Sequence, residues 1–317
     1  MASTFVISDT HFGLDSATLA NSKKVDSLLS DMWRYGKGCD QIILLGDIFD
    51  FWKSTPEKAI RDSAYFFKRL SELDVQISYI VGNHDHHMAV MSQESEFLER
   101  IARGDAYPVY IPSMRWRQVI NGLRITTFYP VYTISLFGRR ILFTHGHHLN
   151  FMGDLYLRLE KLRLLSGKEI SPADMETMIT CAYEGIYRSS YIGEIASLEE
   201  RIWSASSALH RFKTDIFKRS MPTDAQYDAI ARFIKERQFG NVDLFIYGDT
   251  HRPGVSQRNG LVVVNTGSFM HDGNGSSGKC ITDTYLVMDE DGFALRQLGK
   301  QKPVFESSGF LSDKLLF

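Results

Sequence analysis

Ile42-Ile43-Leu44-Leu45-Gly46-Asp47-Ile48-Phe49-Asp50 decides how this chain is read. Four aliphatic residues in unbroken succession stop at a glycine, and two carboxylates follow. A short run that is apolar at every position is a strand buried on both faces, as in parallel sheets. Carboxylates just beyond its carboxyl end stand where open α/β sheets build their sites. The same arrangement recurs in a fixed order along the chain. Phe5-Val6-Ile7 leads to Asp9-Thr10-His11, and Ile77 to Val81 leads to Gly82-Asn83-His84-Asp85. Ile141-Leu142-Phe143 leads to His145-Gly146-His147, and Leu244-Phe245-Ile246 leads to Gly248-Asp249-Thr250-His251.

Helical patterns separate the first three runs. Residues 18–34 place Val25, Leu28, Leu29 and Met32 on one face, and residues 57–73 place Ile60, Ala64, Phe67 and Leu70 in register. With strands at 4–8, 41–45 and 75–81, the order is βαβαβ, which predicts parallel pairing through right-handed crossovers. From about 107 to 144 the pattern turns to strands. Arg124 to Phe128 and Tyr132 to Phe143 around Gly138 read as a meander with a hairpin.

Residues 151–239 read as helical. Ser171-Pro172-Ala173-Asp174 offers an N-cap serine, a proline at the first helical position and an acid in the first turn. Ser197-Leu198-Glu199-Glu200 and Thr223-Asp224-Ala225-Gln226 are capping boxes. Within 197–220, Leu198, Ile202, Ala205, Leu209, Phe212 and Ile216 form a seam for packing a second helix, from the same chain or from a homodimer partner. Strands resume at 242–247, 261–264, 283–288 and 293–298, with Asp291-Gly292 as a turn. Metal-type motifs flank the helical block on both sides, so it reads as an insertion. The expected organisation is a core of residues 1–150 and 240–317, interrupted by a helical cap at 151–239.

Composition bounds the function. At 317 residues, with 44% hydrophobic and 23% charged residues, the chain is that of an ordinary globular protein with ample core. A formal net charge of −2 argues against a dedicated nucleic-acid binder. Cys39, Cys181 and Cys280 lack CxxC spacing and read as free thiols of a reducing compartment. The first strand starts almost at Met1, and no apolar run approaches a bilayer's thickness. The expected location is cytoplasmic, with peripheral membrane contact left open. Gly273-Asn274-Gly275-Ser276-Ser277-Gly278 matches GxGxxG, but a strand rather than a helix comes next, so it reads as a turn and not as a dinucleotide site.

The clusters offer metal ligands. Asp9 and His11, two apart on a loop, can both reach one ion. Asp47 can bridge two ions through its two oxygens, Asn83 adds a neutral oxygen, His145 and His251 add imidazoles, and Asp249 adds a further carboxylate. Mixed N/O ligation without thiolate suits Mn²⁺, Fe or Zn²⁺, and the carboxylate richness leans toward Mn²⁺. Two ions about 3.5–4 Å apart can share and acidify a water and neutralise a phosphate under in-line attack. His84 would stand beside them, placed to protonate a leaving oxygen or bind phosphate. Asp50 reads as an orienting carboxylate or a loop acid, and His147 as a phosphate contact or a loop support. His86, His87, His148, His210 and His271 read as solvated. So do Arg158, Lys161, Arg163 and Lys168, although these four could reach a substrate phosphate from the insertion.

The motifs DxH, GDxxD, GNHD, HGH and GDTH, in that order, resemble those of the calcineurin-like metallophosphoesterase superfamily, and Asn265-Thr266-Gly267-Ser268 resembles a strand end of the same family. The resemblance implies a four-layer α/β/β/α sandwich with a dinuclear metal site. One ion would be held by Asp9, His11, Asp47 and His251, the other by Asp47, Asn83, His145 and Asp249, with His84 as acid or phosphate ligand. The family usually has His where this chain has Asp249. Gly46 to Trp52 and Thr250-His251-Arg252-Pro253 are similar to UDP-2,3-diacylglucosamine diphosphatases, which carry a helical insertion of their own but typically have Arg at the position of His84. The implied activity is hydrolysis of a phosphoester or diphosphate bond in a phosphorylated small-molecule or lipid-linked substrate, with a nucleic acid disfavoured by the lack of a basic stripe. The competing reading is a non-catalytic metal-binding scaffold whose second position is altered by Asp249.

Overall fold

The computed structural model describes residues 3–36, 39–104, 114–120, 122–136, 138–147, 149, 167, 224–271 and 281–308. Most of the expected insertion, including the seam at 197–220 and the four basic residues from Arg158 to Lys168, lies outside the described residues. So do Cys181, Cys280, His148, His210 and the Gly273–Gly278 turn.

The chain builds two mixed sheets. The first runs β1 (Thr4–Ile7), β2 (Gln41–Leu45), β3 (Gln76–Ile80), β5 (Leu123–Tyr129) and β4 (Met114–Ile120) on one side of β1. On the other side lie β11 (Thr284–Asp289), β12 (Gly292–Gln297) and β13 (Phe305–Ser308). β1, β2, β3 and β5 pair in parallel. The second sheet has the order β6 (Val131–Leu136), β7 (Arg139–Thr144), β8 (Leu244–Tyr247), β10 (Leu261–Asn265) and β9 (Gly254–Arg258), with β7, β8 and β10 parallel. This is the α/β class read from the sequence.

Side-chain alternation explains the unbroken apolar runs. In β1 and β2, Phe5, Ile7, Ile42 and Leu44 face one core with Val25, Leu28 and Met32 of helix α1 (Ser22–Tyr35) and Phe66, Phe67 and Leu70 of helix α2 (Pro56–Ser71). Val6, Ile43 and Leu45 face the opposite way and meet Ile141, Phe143, Ile246 and Val264 of the second sheet. The far side of that sheet, through Leu142, Phe245 and Val263, packs on Tyr227, Ile230 and Phe233 of helix α4 (Asp224–Glu236). Helix α4 falls inside the stretch assigned to the insertion, yet its apolar face belongs to the core.

The helix starts follow local chemistry. Asn21 caps α1 by accepting from Lys23 N, and Thr55 caps α2 by accepting from Lys58 N with Pro56 in the first turn. In α1 the expected face is the buried one. In α2 it is rotated: Ala59, Ser63, Phe66, Phe67 and Leu70 are buried while Ile60 is exposed. Small residues let α2 approach the sheet, which a hydrophobic periodicity does not register. The expected meander at 107–144 is instead two hairpins in different sheets, β4–β5 and β6–β7, with the chain crossing between them at Tyr129-Pro130. Helix α3 (His87–Arg103) and the edge strands β9 and β13 were not expected. Cys39 is partly buried, and burial pushes its thiol up to about 11, which makes it an inert thiol. Among the described residues no helix is long and apolar enough to cross a membrane.

Candidate metal centre

Loops after β1, β2 and β3 of the first sheet and after β7 and β8 of the second converge on one edge of the sandwich. Backbone hydrogen bonds fasten them together. Asp9 N donates to Gly46 O at 3.1 Å, His11 N to Asp47 O at 2.9 Å, and Gly248 N to His145 O at 2.8 Å. Hydrogen bonds also cross between the sheets, among them His145 Nδ1 with Leu45 O at 3.0 Å, and Asp249 N with the Asp9 carboxylate at 3.0 and 3.2 Å. Asn265 steadies the last loop by donating from Nδ2 to Gly248 O at 2.8 Å and Thr250 Oγ1 at 2.9 Å.

The backbone bends sharply at the candidate ligands. Asp9, His11, Asp47, Asp249 and His251 all have positive φ, between 46° and 64°. Non-glycine residues adopt this region at a cost, and such residues concentrate at functional sites. The turns after β1, β2 and β8 therefore swing their side chains inward over the sheet end. Asp9-Thr10-His11 and Asp249-Thr250-His251 repeat the same sequence and the same bend, one in each sheet.

Two groups of donors result. His251 Nε2 lies 3.2 Å from Asp9 Oδ1 and 3.2 Å from His11 Nε2, and His11 Nε2 lies 3.7 Å from Asp47 Oδ2. His145 Nε2 lies 3.1 Å from both Asp47 Oδ2 and Asn83 Oδ1 and 3.7 Å from Asp249 Oδ1. Asp47 Oδ2 stands between the groups. Asp9, His11, Asp47, Asn83 and His145 are buried; the His251 side chain is 37% exposed and opens the site to solvent. The structure thus brings all seven sequence-derived candidate ligands together, with Asp249 at the rim.

The donor set fits divalent cations. Nδ1 of His145 is held by Leu45 O and Nδ1 of His11 by Asp50 Oδ2 at 3.0 Å, so each ring turns Nε2 inward. Burial pushes the Asp47 carboxyl up, but the charges of His145, His84 and His11 outweigh it and hold it well below the usual carboxylate range. Burial likewise opposes charge on His145, but Asp47, Asp9 and Asp249 raise it far above an ordinary histidine. The surrounding carboxylates thus favour positive charge at this position, which a divalent cation would supply.

Four side chains around these donors have assigned places. Asp50, fully buried, sets Oδ2 against His11 Nδ1 and, at 2.8 Å, His84 Nδ1, while Oδ1 accepts from Trp52 N and Lys53 N. It is an orienting carboxylate, the first of the two readings. Trp52 stacks on the His84 ring at 4.5 Å, a contact the sequence does not announce. His147 is buried beside Tyr129, His86 and His145. His86 is itself buried, against the expectation of a solvated residue, because Tyr129 of β5 covers it edge-on at 4.9 Å. His271 is exposed as expected.

Asp85 is the residue whose role sequence reasoning missed. Its carboxylate accepts from Gly82 N at 2.6 Å, Ile48 N at 2.8 Å and the Tyr79 hydroxyl, tying the β2 loop to the β3 loop. Burial and the neighbouring Asp47 charge push it up to about 6. Every partner is a donor, so Asp85→Asn would aim an amide N–H₂ at a donor. The expected result is destabilisation by about 1–3 kcal/mol, read by urea denaturation of the metal-free protein. An unchanged midpoint would refute this placement.

The calcineurin-like phosphoesterase family model matches residues 2–253. A UDP-2,3-diacylglucosamine hydrolase of Photobacterium profundum is 23% identical over 278 residues, covering 86% of this chain and 91% of that protein. Among solved structures, the phosphoesterase YfcE from E. coli matches with TM-score 0.42 and 14% identity, over 96% of this chain and 98% of that one. Vacuolar Protein Sorting 29 from Cryptosporidium parvum matches with TM-score 0.43 and 9% identity, over 95% and 93%. With the family's model spanning most of its length, this chain belongs to the calcineurin-like phosphoesterases.

Proposed function

We propose that this chain is a dinuclear metal-dependent phosphoesterase that hydrolyses a phosphoester or diphosphate bond. The observation that carries this reading is the pair of donor groups meeting at Asp47 Oδ2, with His84 at their side. Asp9, His11, Asp47 and His251 would hold one divalent ion, and Asp47, Asn83, His145 and Asp249 the other. Bound ions supply neutralisation of phosphate charge and activation of the attacking water.

The chain's own residues do the remainder. His84 protonates the leaving oxygen: its backbone N is pinned to Asp47 Oδ1 at 2.9 Å, its Nδ1 is set against Asp50, and its ring is backed by Trp52, so Nε2 is the edge turned to substrate. His251, the most open of the candidate ligands, lies on the substrate side. The carboxylate-rich donor set favours Mn²⁺. The UDP-2,3-diacylglucosamine hydrolase likeness supports a narrower reading, cleavage of a diphosphate in a lipid-linked nucleotide, which the similar residues Gly46 to Trp52 also favour.

The test is hydrolysis of p-nitrophenyl phosphate and bis-p-nitrophenyl phosphate, followed by UDP-2,3-diacylglucosamine. Chelation should remove turnover, and Mn²⁺ should restore it better than Mg²⁺. The ratio of diester to monoester rates then orders the substrate classes. A chain that binds two ions yet turns over none of these would favour a metal-binding scaffold instead.

A further inference from the structure

We infer that the end of the first sheet opposite the metal centre carries a self-association surface, and that a second copy of this chain is the partner it fits. Trp33 is the knob of this surface and an adjoining notch is its hole. Trp33 stands in the last turn of α1 and is 67% exposed, more than any other large apolar side chain among the described residues. Single exposed apolar residues are common and need no account. This one borders a cavity of about 250 Å³ walled by Leu29 and Met32 of α1 and by Leu73 and Val75 from the turn between α2 and β3. Leu29 and Met32 belong to the face that α1 buries, and Trp33 comes one turn after Leu29, at the margin of that face. The indole is therefore one side of a concave apolar patch. A tryptophan buries about 150–250 Å² when covered, and the notch has room for the ring of a second one.

Charge divides the patch into two unlike halves. Asp40 and Asp74, both exposed, also line the notch, and no basic residue does so among the described residues. Asp40 already accepts from Ser3 N at 2.8 Å, which leaves Asp74 as the more available acid. On the knob side, exposed Arg34 follows Trp33 directly, with its guanidinium carbon 6.0 Å from the centre of the Tyr35 ring. A two-fold axis beside Trp33 would set each indole in the other copy's notch and each Arg34 against the other copy's Asp74. Knob and hole on one surface, with opposite charges, are the self-complementarity that a two-fold interface requires. A partner of another kind would have to bring both an aromatic knob with a cation and an acid-rimmed hole of its own.

The position leaves the candidate metal centre open. Asp40 and Val75 directly precede β2 and β3, whereas the ligand loops follow the other ends of these strands. Pairing here stands independently of the proposed chemistry. Two indoles and their surroundings bury less than a standard interface of about 1,600 Å², so the dimer should be weak, with a Kd of about micromolar or above.

Sedimentation velocity of the full chain, from about 1 to 500 μM, reads the association directly. The wild type should shift from one chain toward two across this range. Trp33→Ala should weaken association by at least about tenfold, as loss of a central aromatic anchor does. Its urea midpoint should stay near that of the wild type, because the side chain is mostly exposed. Arg34→Asp should also weaken association, and adding Asp74→Arg to it should recover most of the loss. A wild type that stays monomeric throughout would overturn the pairing. So would a dimer that Trp33→Ala leaves intact, which would place self-association on another surface. Should Trp33→Ala fail to fold, the charge reversal decides: recovery in the double variant supports the pairing, and a double variant as weak as Arg34→Asp alone overturns it. Turnover is not read in any arm, so failure here leaves the phosphoesterase reading where it stood.

Discussion

Asp47→Asn is expected to lower turnover of p-nitrophenyl esters by about 10³-fold or more and to reduce bound Mn²⁺ below two ions per chain. Asp47 reaches both donor groups through a single oxygen, Oδ2, at 3.1 Å from His145 Nε2 and 3.7 Å from His11 Nε2. Its Oδ1 accepts from His84 N at 2.9 Å, so the carboxylate also fixes the residue proposed to protonate the leaving group. Asparagine has the same shape and can keep the Oδ1 acceptor. At the Oδ2 position it presents N–H₂, a donor that cannot ligate a cation. The substitution therefore removes the shared ligand while leaving the His84 loop in place. The metal-free protein should unfold near the wild-type temperature, but the rise in Tm on adding Mn²⁺ should shrink, because ligand binding to the folded state sets that rise. If the asparagine variant kept more than about a tenth of the wild-type rate with two ions bound, Asp47 would not be the bridge, and the site would have to be read as two separate mononuclear positions.

How much of this was legible beforehand follows from where each signal resides. β1, β2 and β8 announce themselves because both faces are buried, so Phe5-Val6-Ile7, Ile42 to Leu45 and Leu244 to Ile246 are apolar without interruption. The candidate ligands announce themselves because each lies just beyond an apolar run. Edge strands carry no such mark: β9, Gly254–Arg258, is exposed at its last two residues, and β13 reads Phe-Glu-Ser-Ser. Helix α3 hides for a related reason, since Met91, Leu98 and Ile101 are exposed and blur its apolar pattern. What could not be read at all are contacts made across the fold. Trp52 on His84, Tyr129 over His86 and the carboxylate of Asp85 under the β2 loop each join elements that are remote in sequence. Local patterns named the atoms of the site, while the residues that aim those atoms depend on sheet order.

The glycine before Asn83 illustrates how tightly that aim is enforced, and Gly82→Ala is expected to disable the site as thoroughly as losing Asp47. A Cβ at Gly82 would overlap Asp47 Oδ1 and stand 2.5 Å from the Asp47 backbone N. A side chain can swing away from such an overlap, but a backbone nitrogen cannot without moving the loop. Asp47 N belongs to the bend that swings the shared carboxylate inward, and Gly82 N is itself held by Asp85 at 2.6 Å. Relief therefore has to come from separating the β2 and β3 loops, which pulls Asp47 and Asn83 off the second donor group. Overpacking of this kind costs about 1–3 kcal/mol, so the variant should still fold, with a lower urea midpoint. Gly248→Ala provides the internal comparison. Its Cβ would meet Asp9 Oδ2 and stand 2.8 Å from Ser8 Oγ, side-chain atoms that have some freedom to yield. The expected order of Mn²⁺ affinity is wild type, then Gly248→Ala, then Gly82→Ala, the last weaker than wild type by at least about tenfold. Titration of the folded variants with Mn²⁺ gives that order directly. Wild-type affinity in Gly82→Ala would mean that Asp47 can hold its ligand geometry without the close approach of the two loops, and that the glycine serves the turn alone.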